Sequence, residues 1–255
     1  MGSIIPVFSR SSGWSDRLEF FWDLLFPRSC VCCGQDRRHG GPCLCAACQD
    51  HLNRILPPFC AQCGYPASLD YPYPTESFRC VTCRRQGFAF DRARSLGTYE
   101  SVFKSLVQFY KYQKQPGALR EIRPLLEAHV SEEREAYAEA ELVPVPLHRD
   151  KLRDRGFDQS WLLAREIGRI LDRPVGPEVV IRVRETPTQT RLRRLERLRN
   201  LRGAFEVLRP ERIRGRRVLV VDDVMTTGAT AHEMARTLKR AGAREVHVFT
   251  LARAP

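Results

Sequence analysis

Thirteen consecutive residues, Val218 to Thr230, constrain this chain more than any other stretch. They read V-L-V-V-D-D-V-M-T-T-G-A-T. The β-branched run Val218, Leu219, Val220 and Val221 has the length and composition of a fully buried parallel strand. Asp222 and Asp223 follow where such a strand is expected to end. Val224 and Met225 then lead into Thr226, Thr227, Gly228, Ala229 and Thr230, a loop of small and hydroxylated residues. Beyond it, Ala231, Met234, Ala235 and Leu238 recur at helical spacing, with Gly242 at the expected C-cap.

The order strand, acid pair, small-residue loop, helix predicts a chemistry. A loop opening a helix offers unpaired backbone N–H groups and a partial positive charge, which suits a phosphate. Gly228 lets the backbone approach a ligand closely. The three threonine hydroxyls add donors. Two carboxylates at a strand end suit vicinal hydroxyls, with a hydrated Mg²⁺ nearby. A sugar carrying a phosphate fits both halves. The stretch is not a P-loop, because no Gly-Lys-Ser/Thr follows.

The cysteines set a second constraint. All ten lie before residue 84, so a domain boundary is expected near residue 90. They form Cys30-x2-Cys33, Cys45-x2-Cys48, Cys60-x2-Cys63 and Cys80-x2-Cys83, with Cys32 and Cys43 as extras. Each short knuckle presents two thiolates to one ion, the pattern of tetrahedral Zn²⁺. Disulfides would need an oxidising compartment, and no secretory signal is evident. Two structural zinc ions are expected, one per consecutive pair of knuckles. Interleaved pairing, and replacement of a neighbour by Cys32 or Cys43, stay open.

At 255 residues, 43% of them hydrophobic, the chain can bury a core in one large or two smaller domains. No apolar run approaches the roughly 20 residues that a membrane helix needs. Phe20 to Phe26 is greasy but is interrupted by Asp23, and is expected to form a short amphipathic helix. The net charge is +12, and thirteen arginines against four glutamates between Arg182 and Arg217 supply nine of those charges. Such a patch draws a phosphorylated substrate or nucleic acid. Leu192, Leu195 and Leu198 also allow it to be the solvated face of a helix.

Elsewhere, Val102, Phe103, Leu106, Val107 and Tyr110 predict a helix ending near Gly117, with Lys104 and Lys111 on one face. An acidic helix is expected from about Leu119 to Ala140, then a short strand at Leu142 to Val145. Leu147, His148, Arg149 and Arg155 follow that strand, where cations can neutralise a pyrophosphate. Trp161 to Leu171 reads as a further amphipathic helix and Val246 to Leu251 as a buried strand. The alternation from about residue 141 predicts an α/β fold, a parallel sheet with helices on both faces and a ligand site at the carboxyl ends of its strands.

The stretch from Val218 to Thr230 resembles the 5-phosphoribosyl-1-pyrophosphate (PRPP) signature of type I phosphoribosyltransferases. With the cysteine knuckles, Tyr110-Lys111-Tyr112, Val143-Pro144-Val145-Pro146, Arg155-Gly156-Phe157-x-Gln159-Ser160, Gln189 and Arg199-Asn200-Leu201-x-Gly203-Ala204-Phe205, the chain resembles the ComF family of phosphoribosyltransferase-like competence proteins. The departures are the two extra cysteines and Asp158, where the family usually has Asn.

The resemblance implies a segment at 1–28, a double zinc ribbon at 29–89 and a phosphoribosyltransferase-like domain at 90–255. It further implies that Asp222 and Asp223 hold the ribose hydroxyls and that Val224 to Thr230 hold the 5′-phosphate. Leu147, His148, Arg149 and Arg155 would meet the pyrophosphate, and Gln189 to Asn200 would belong to a loop closing over PRPP. The expected ligands are PRPP with Mg²⁺ and single-stranded DNA, the latter on Arg191, Arg193, Arg194 and Arg197. Expected partners are DNA-uptake proteins, in the cytoplasm. The competing expectation is an active transferase delivering ribose 5-phosphate to a nitrogenous small molecule.

Overall fold

A computed structural model describes residues 29–37, 43–67, 77–112, 117–148, 152–153, 156–176, 178–184 and 200–254. The amphipathic segment expected before residue 29 lies outside them, as do Arg149, Arg155, Arg191, Arg193, Arg194 and Arg197. No helix among the described residues is long and apolar enough to cross a membrane.

Two short helices, α1 (Ala46–Asp50) and α2 (Val81–Gln86), belong to the cysteine-rich part. After them run β1 (Arg92–Thr98), α3 (Ser101–Tyr112), α4 (Gly117–Glu132), α5 (Arg134–Tyr137) and β2 (Glu141–Pro144). Next come α6 (Gln159–Ile170), β3 (Val180–Arg182), β4 (Phe205–Val207), β5 (Arg217–Met225), α7 (Ala229–Arg240) and β6 (Glu245–Arg253).

The strands β1, β6, β5 and β2 form one sheet in that order, parallel throughout. β5 lies inside it, and Val218, Leu219, Val220 and Val221 are wholly buried. Strand alternation sends Leu219 and Val221 to one face, with Phe249 and Leu251 of β6, against α3, α4 and α6. Val218 and Val220 face the other way and pack with Val246, Val248, Met234, Ala235 and Leu238 around α7. An antiparallel pair, β3 with β4, adjoins that second face. Helices therefore cover both faces, as the alternation of elements requires.

Three expectations need correction. β5 does not end at the acid pair but runs on to Met225, because β6 continues beside it: Asp222 lies opposite Thr250 and Val224 opposite Ala252. Gly117 opens α4 and does not terminate the preceding helix. The acidic helix is divided at Glu133, whose carboxylate turns towards Arg92 (2.8 Å) and Arg94 (3.5 Å). The helix at Ala229–Arg240 does stop at Gly242, where Ala243 N–H reaches the Leu238 carbonyl (3.0 Å) and Gly242 N–H that of Lys239 (3.0 Å).

The cysteine-rich part covers the outer edge of β1, which the sheet itself leaves unpaired. Ala93 N–H bonds the Gln62 carbonyl at 2.7 Å, and Ile55 N–H bonds that of Leu96 at 2.9 Å. Gly64 takes φ +65 where a built Cβ would stand 2.6 Å from the Ala93 carbonyl oxygen, so this knuckle fits against β1 only with glycine. At the other knuckle pair, the buried Glu121 of α4 accepts from the N–H groups of Cys43 (2.7 Å) and Leu44 (3.3 Å) and from the Gln49 amide.

Candidate functional site

The carboxyl end of β5, the loop after it and the start of α7 line a concavity. Asp222, Val224, Met225 and Thr226 to Ala231 form most of its wall, joined by Val145 just past β2 and Thr250 of β6. Gly228 is the N-cap of α7 with φ +76, a left-handed conformation that strains other residues. In the absence of a side-chain cap from Gly228, the Thr227 hydroxyl accepts from Ala229 N–H at 3.4 Å. The α7 N-terminus thus faces this hollow, a geometry suited to an anion.

The acid pair is held by residues from two other helices. Lys111 Nζ, at the end of α3, lies 3.0 Å from Asp223 Oδ1. Ser160, in the first turn of α6, donates to Asp222 Oδ1 at 3.1 Å, and Asp223 N–H reaches the same oxygen at 2.9 Å. Burial, then the adjacent Asp223 charge, push the Asp222 carboxyl up to about 7, against the Asp223 N–H, Lys111 and Ser160. Burial pulls Lys111 down, but the Asp223 carboxylate outweighs it and the net shift is upward. Tyr110 O–H meanwhile donates to the Gln159 carbonyl at 2.7 Å, joining α3 to α6 beneath the pair.

Lys111 and Ser160 were not assigned to the acid pair from the sequence. Lys104 and Lys111 look equivalent seven residues apart, yet Lys104 is exposed and Lys111 is drawn inward by Asp223. Asp158 needs only to accept a hydrogen bond. Its carboxylate caps α6 by accepting from Trp161 N–H at 2.9 Å. Burial raises its pKa, opposed by the N–H groups of Trp161, Leu147 and Ser160. The bond from Leu147 ties the segment after β2 to the start of α6. An acid therefore serves where the family usually has an amide.

Several arginines of the basic stretch have internal work. Arg212 pairs with the buried Glu141 (2.7 Å), Arg217 with Glu245 (2.6 Å), and Arg184 donates to the Asn200 (2.7 Å) and Arg202 (2.9 Å) carbonyls. Part of that charge is structural.

The eight knuckle cysteines gather as two groups, Cys30/Cys33/Cys45/Cys48 and Cys60/Cys63/Cys80/Cys83, with all four sulfurs of each within 4.8 Å of one another. Cys33 and Cys45 Sγ are 3.6 Å apart, as are Cys63 and Cys80 Sγ. Tetrahedral Zn–S bonds of about 2.3 Å require sulfurs about 3.8 Å apart, so the donor sets fit two zinc ions. Four thiolates close each coordination sphere, making the ions structural. Pairing is consecutive, and Cys32 and Cys43 stand outside both groups. Burial and the Glu121 carboxylate push the Cys43 thiol up to about 11, which keeps it protonated.

A parallel sheet with an acid pair and anion loop at its carboxyl edge, joined to two four-cysteine sites, defines a phosphoribosyltransferase fold carrying a double zinc ribbon. Family models agree: the phosphoribosyl transferase domain matches residues 159–255 and the double zinc ribbon domain residues 21–84. The chain is 33% identical to "Competence protein F" of Haemophilus influenzae over 216 residues, which is 83% of this chain and 90% of that protein. It is 31% identical to "DNA utilization protein YhgH" of Escherichia coli over 233 residues, 90% of this chain and 99% of the relative. "Competence protein ComFC" of Streptococcus pneumoniae is 28% identical over 241 residues, covering 88% and 99%. The chain belongs to the ComF family of phosphoribosyltransferase-like competence proteins.

Proposed function

We propose that this chain binds PRPP with Mg²⁺ at the carboxyl edge of β5 and acts with single-stranded DNA during DNA uptake. The observation that carries the reading is the acid pair beside the N-terminus of α7, with Lys111 and Ser160 orienting its oxygens. Asp222 and Asp223 accept hydrogen bonds from the ribose 2′ and 3′ hydroxyls. The backbone N–H groups and hydroxyls from Val224 to Thr230 take the 5′-phosphate. Leu147, His148, Arg149 and Arg155 meet the pyrophosphate. Hard carboxylate oxygens suit Mg²⁺, which when bound neutralises pyrophosphate charge.

The DNA part of the proposal draws on relatives named for competence and for DNA utilization. Partners in that process are single-stranded DNA and proteins of the uptake machinery. Zinc–thiolate sites of this kind suit a reducing compartment, so the proposed location is the cytoplasm.

Titration calorimetry with PRPP and Mg²⁺ tests the site. Wild-type protein binds, and the Asp222→Asn/Asp223→Asn variant loses at least tenfold in affinity. Equal binding by the variant, or none by the wild type, overturns the assignment. Offering nucleobases, amines and single-stranded DNA as acceptors extends the test: acceptor-dependent pyrophosphate release would make the protein a transferase.

A further inference from the structure

The described residues contain a basic surface on α4 and α6, separate in sequence from the arginine cluster at 191–197. α4 and α6 run side by side, and a groove between them is walled by Arg120 and Arg123 of α4 and by Arg165 and Arg169 of α6. Arg165 and Arg169 lie one turn apart, about 6 Å along the axis. The groove holds one carboxylate, Glu166, which is buried and already paired with Arg123 and with Arg169 (3.0 Å). Four guanidinium groups against one neutralised acid leave the groove cationic. Arg120 and Arg165 have no carboxylate partner among the described residues.

Beside this groove, in an adjoining hollow that shares Arg165 and Arg169 with it, stands Trp161, 40% exposed, with the Arg165 guanidinium 4.6 Å from the centre of its ring. A large indole left in water next to an arginine-lined groove offers a stacking face beside cations suited to phosphates. An unstacked base presents the flat π-surface that such a ring accepts, whereas bases inside a duplex do not. Trp161 also follows Ser160 directly, and the Ser160 hydroxyl donates to Asp222. Both residues belong to the first turn of α6.

We infer that the α4–α6 groove is a single-stranded nucleic-acid surface, with Trp161 stacking a base and Arg120, Arg123, Arg165 and Arg169 following the phosphates. This rests on the proposal that the chain handles single-stranded DNA and assigns that activity to a surface. Fluorescence anisotropy of a labelled oligothymidylate with the full zinc-loaded chain, across a salt series, tests it. Trp161→Ala weakens binding roughly 5- to 160-fold while Trp161→Phe retains most of it. Arg120→Gln/Arg165→Gln lowers the slope of log affinity against log salt by about 1.4, or about 0.7 per lost phosphate contact. Circular dichroism and zinc content stay unchanged in all three variants.

If wild-type binding is salt-sensitive but these variants bind like wild type, the groove is refuted and the DNA reading stands. Loss of that binding in an Arg191, Arg193, Arg194 and Arg197 to Gln variant would then move the surface there. If duplex competes as well as single strand, the stacking role fails. If wild type shows no salt-sensitive binding at low ionic strength, the DNA reading and the groove fall together.

Discussion

The zinc ribbon and the sheet are held together by different forces. The ribbon's helices α1 and α2 have five and six residues, and most of its fully buried side chains are cysteines. Little apolar area is available there, so metal coordination must supply the order. The sheet instead buries continuous apolar strands between two helical layers. Yet the ribbon closes the open edge of β1, so the two parts share a seam. A part with little core of its own thus shields the edge of one that has a large core.

Chelation gives the largest effect. We propose that residues 29–89 and 90–255 are separate folding units. Structural zinc contributes roughly 10 kcal/mol or more per site in comparable peptides, so its removal unfolds the ribbon. Hydrogen exchange after chelation should lose protection from Cys30 to Cys83 and along the outer edge of β1, while β5 and β6 stay protected. Loss of protection in β5 and β6 as well would make the molecule one cooperative unit. Metal analysis before chelation should find two zinc ions per chain.

Acid should weaken the sheet by a route that needs no metal. His129 is buried beside Tyr137 and Phe249, and burial, helped by the charge of Arg54, pushes its pKa down to about 4. Burial, then Arg217, likewise push His247 to about 4. Both start from an ordinary value of 6.5. Below pH 6.5 the unfolded chain takes up protons that the folded chain refuses until about pH 4, so the stability contributed by the two histidines falls across that window. The single carboxyl of Asp222, which is protonated below about 7 in the folded chain, opposes that fall. The loss reaches about 3 kcal/mol per histidine. Urea midpoints of the chelated protein should fall between pH 6.5 and 4, and His129→Gln should flatten that slope. A slope present only with zinc bound would assign acid sensitivity to the thiolates.

Glu121→Ala probes the seam itself. The substitution strands the N–H groups of Cys43 and Leu44 and the Gln49 amide, with an expected cost of about 3 kcal/mol. That cost should fall on the ribbon, seen as faster proteolysis near Cys43 with an unchanged urea midpoint for the sheet. A lowered midpoint for the sheet would show the seam carries stability in both directions.

Legibility in the sequence followed the range of the interactions. A Cys-x2-Cys knuckle is a local device, and β5 with α7 is a continuous stretch, so both were readable. Consecutive pairing of the knuckles was the expected arrangement and is the one found, although spacing alone left interleaving open. Lys111, Ser160 and Glu121 were missed for one reason: each acts on a partner distant in the chain and adjacent only after folding. The strand boundary at Asp222 was missed because the neighbouring β6 determines where β5 stops. The roles of the charge between Arg182 and Arg217 stayed open in the sequence, since composition does not reveal which guanidinium groups already meet a buried Glu141 or an exposed backbone.

The smallest effect tests contact between the ribbon's end and the anion loop. Phe88 follows α2, stacks on Phe90 at 4.6 Å between centroids and meets His232 of α7 edge-on at 6.2 Å. A Cβ built on Gly228 would stand 2.8 Å from the Phe88 ring. Gly228→Ala therefore incurs two penalties, the left-handed backbone at about 1–2 kcal/mol and a collision with the ring. Phe88→Ala removes the collision and leaves the backbone strain. In a double-mutant cycle read by urea unfolding, the two substitutions should couple favourably by about 0.5–1 kcal/mol. Additivity would mean that Phe88 moves aside freely, leaving the anion loop mechanically independent of the ribbon. Coupling would mean that the ribbon's last residues set the space available to the loop after β5.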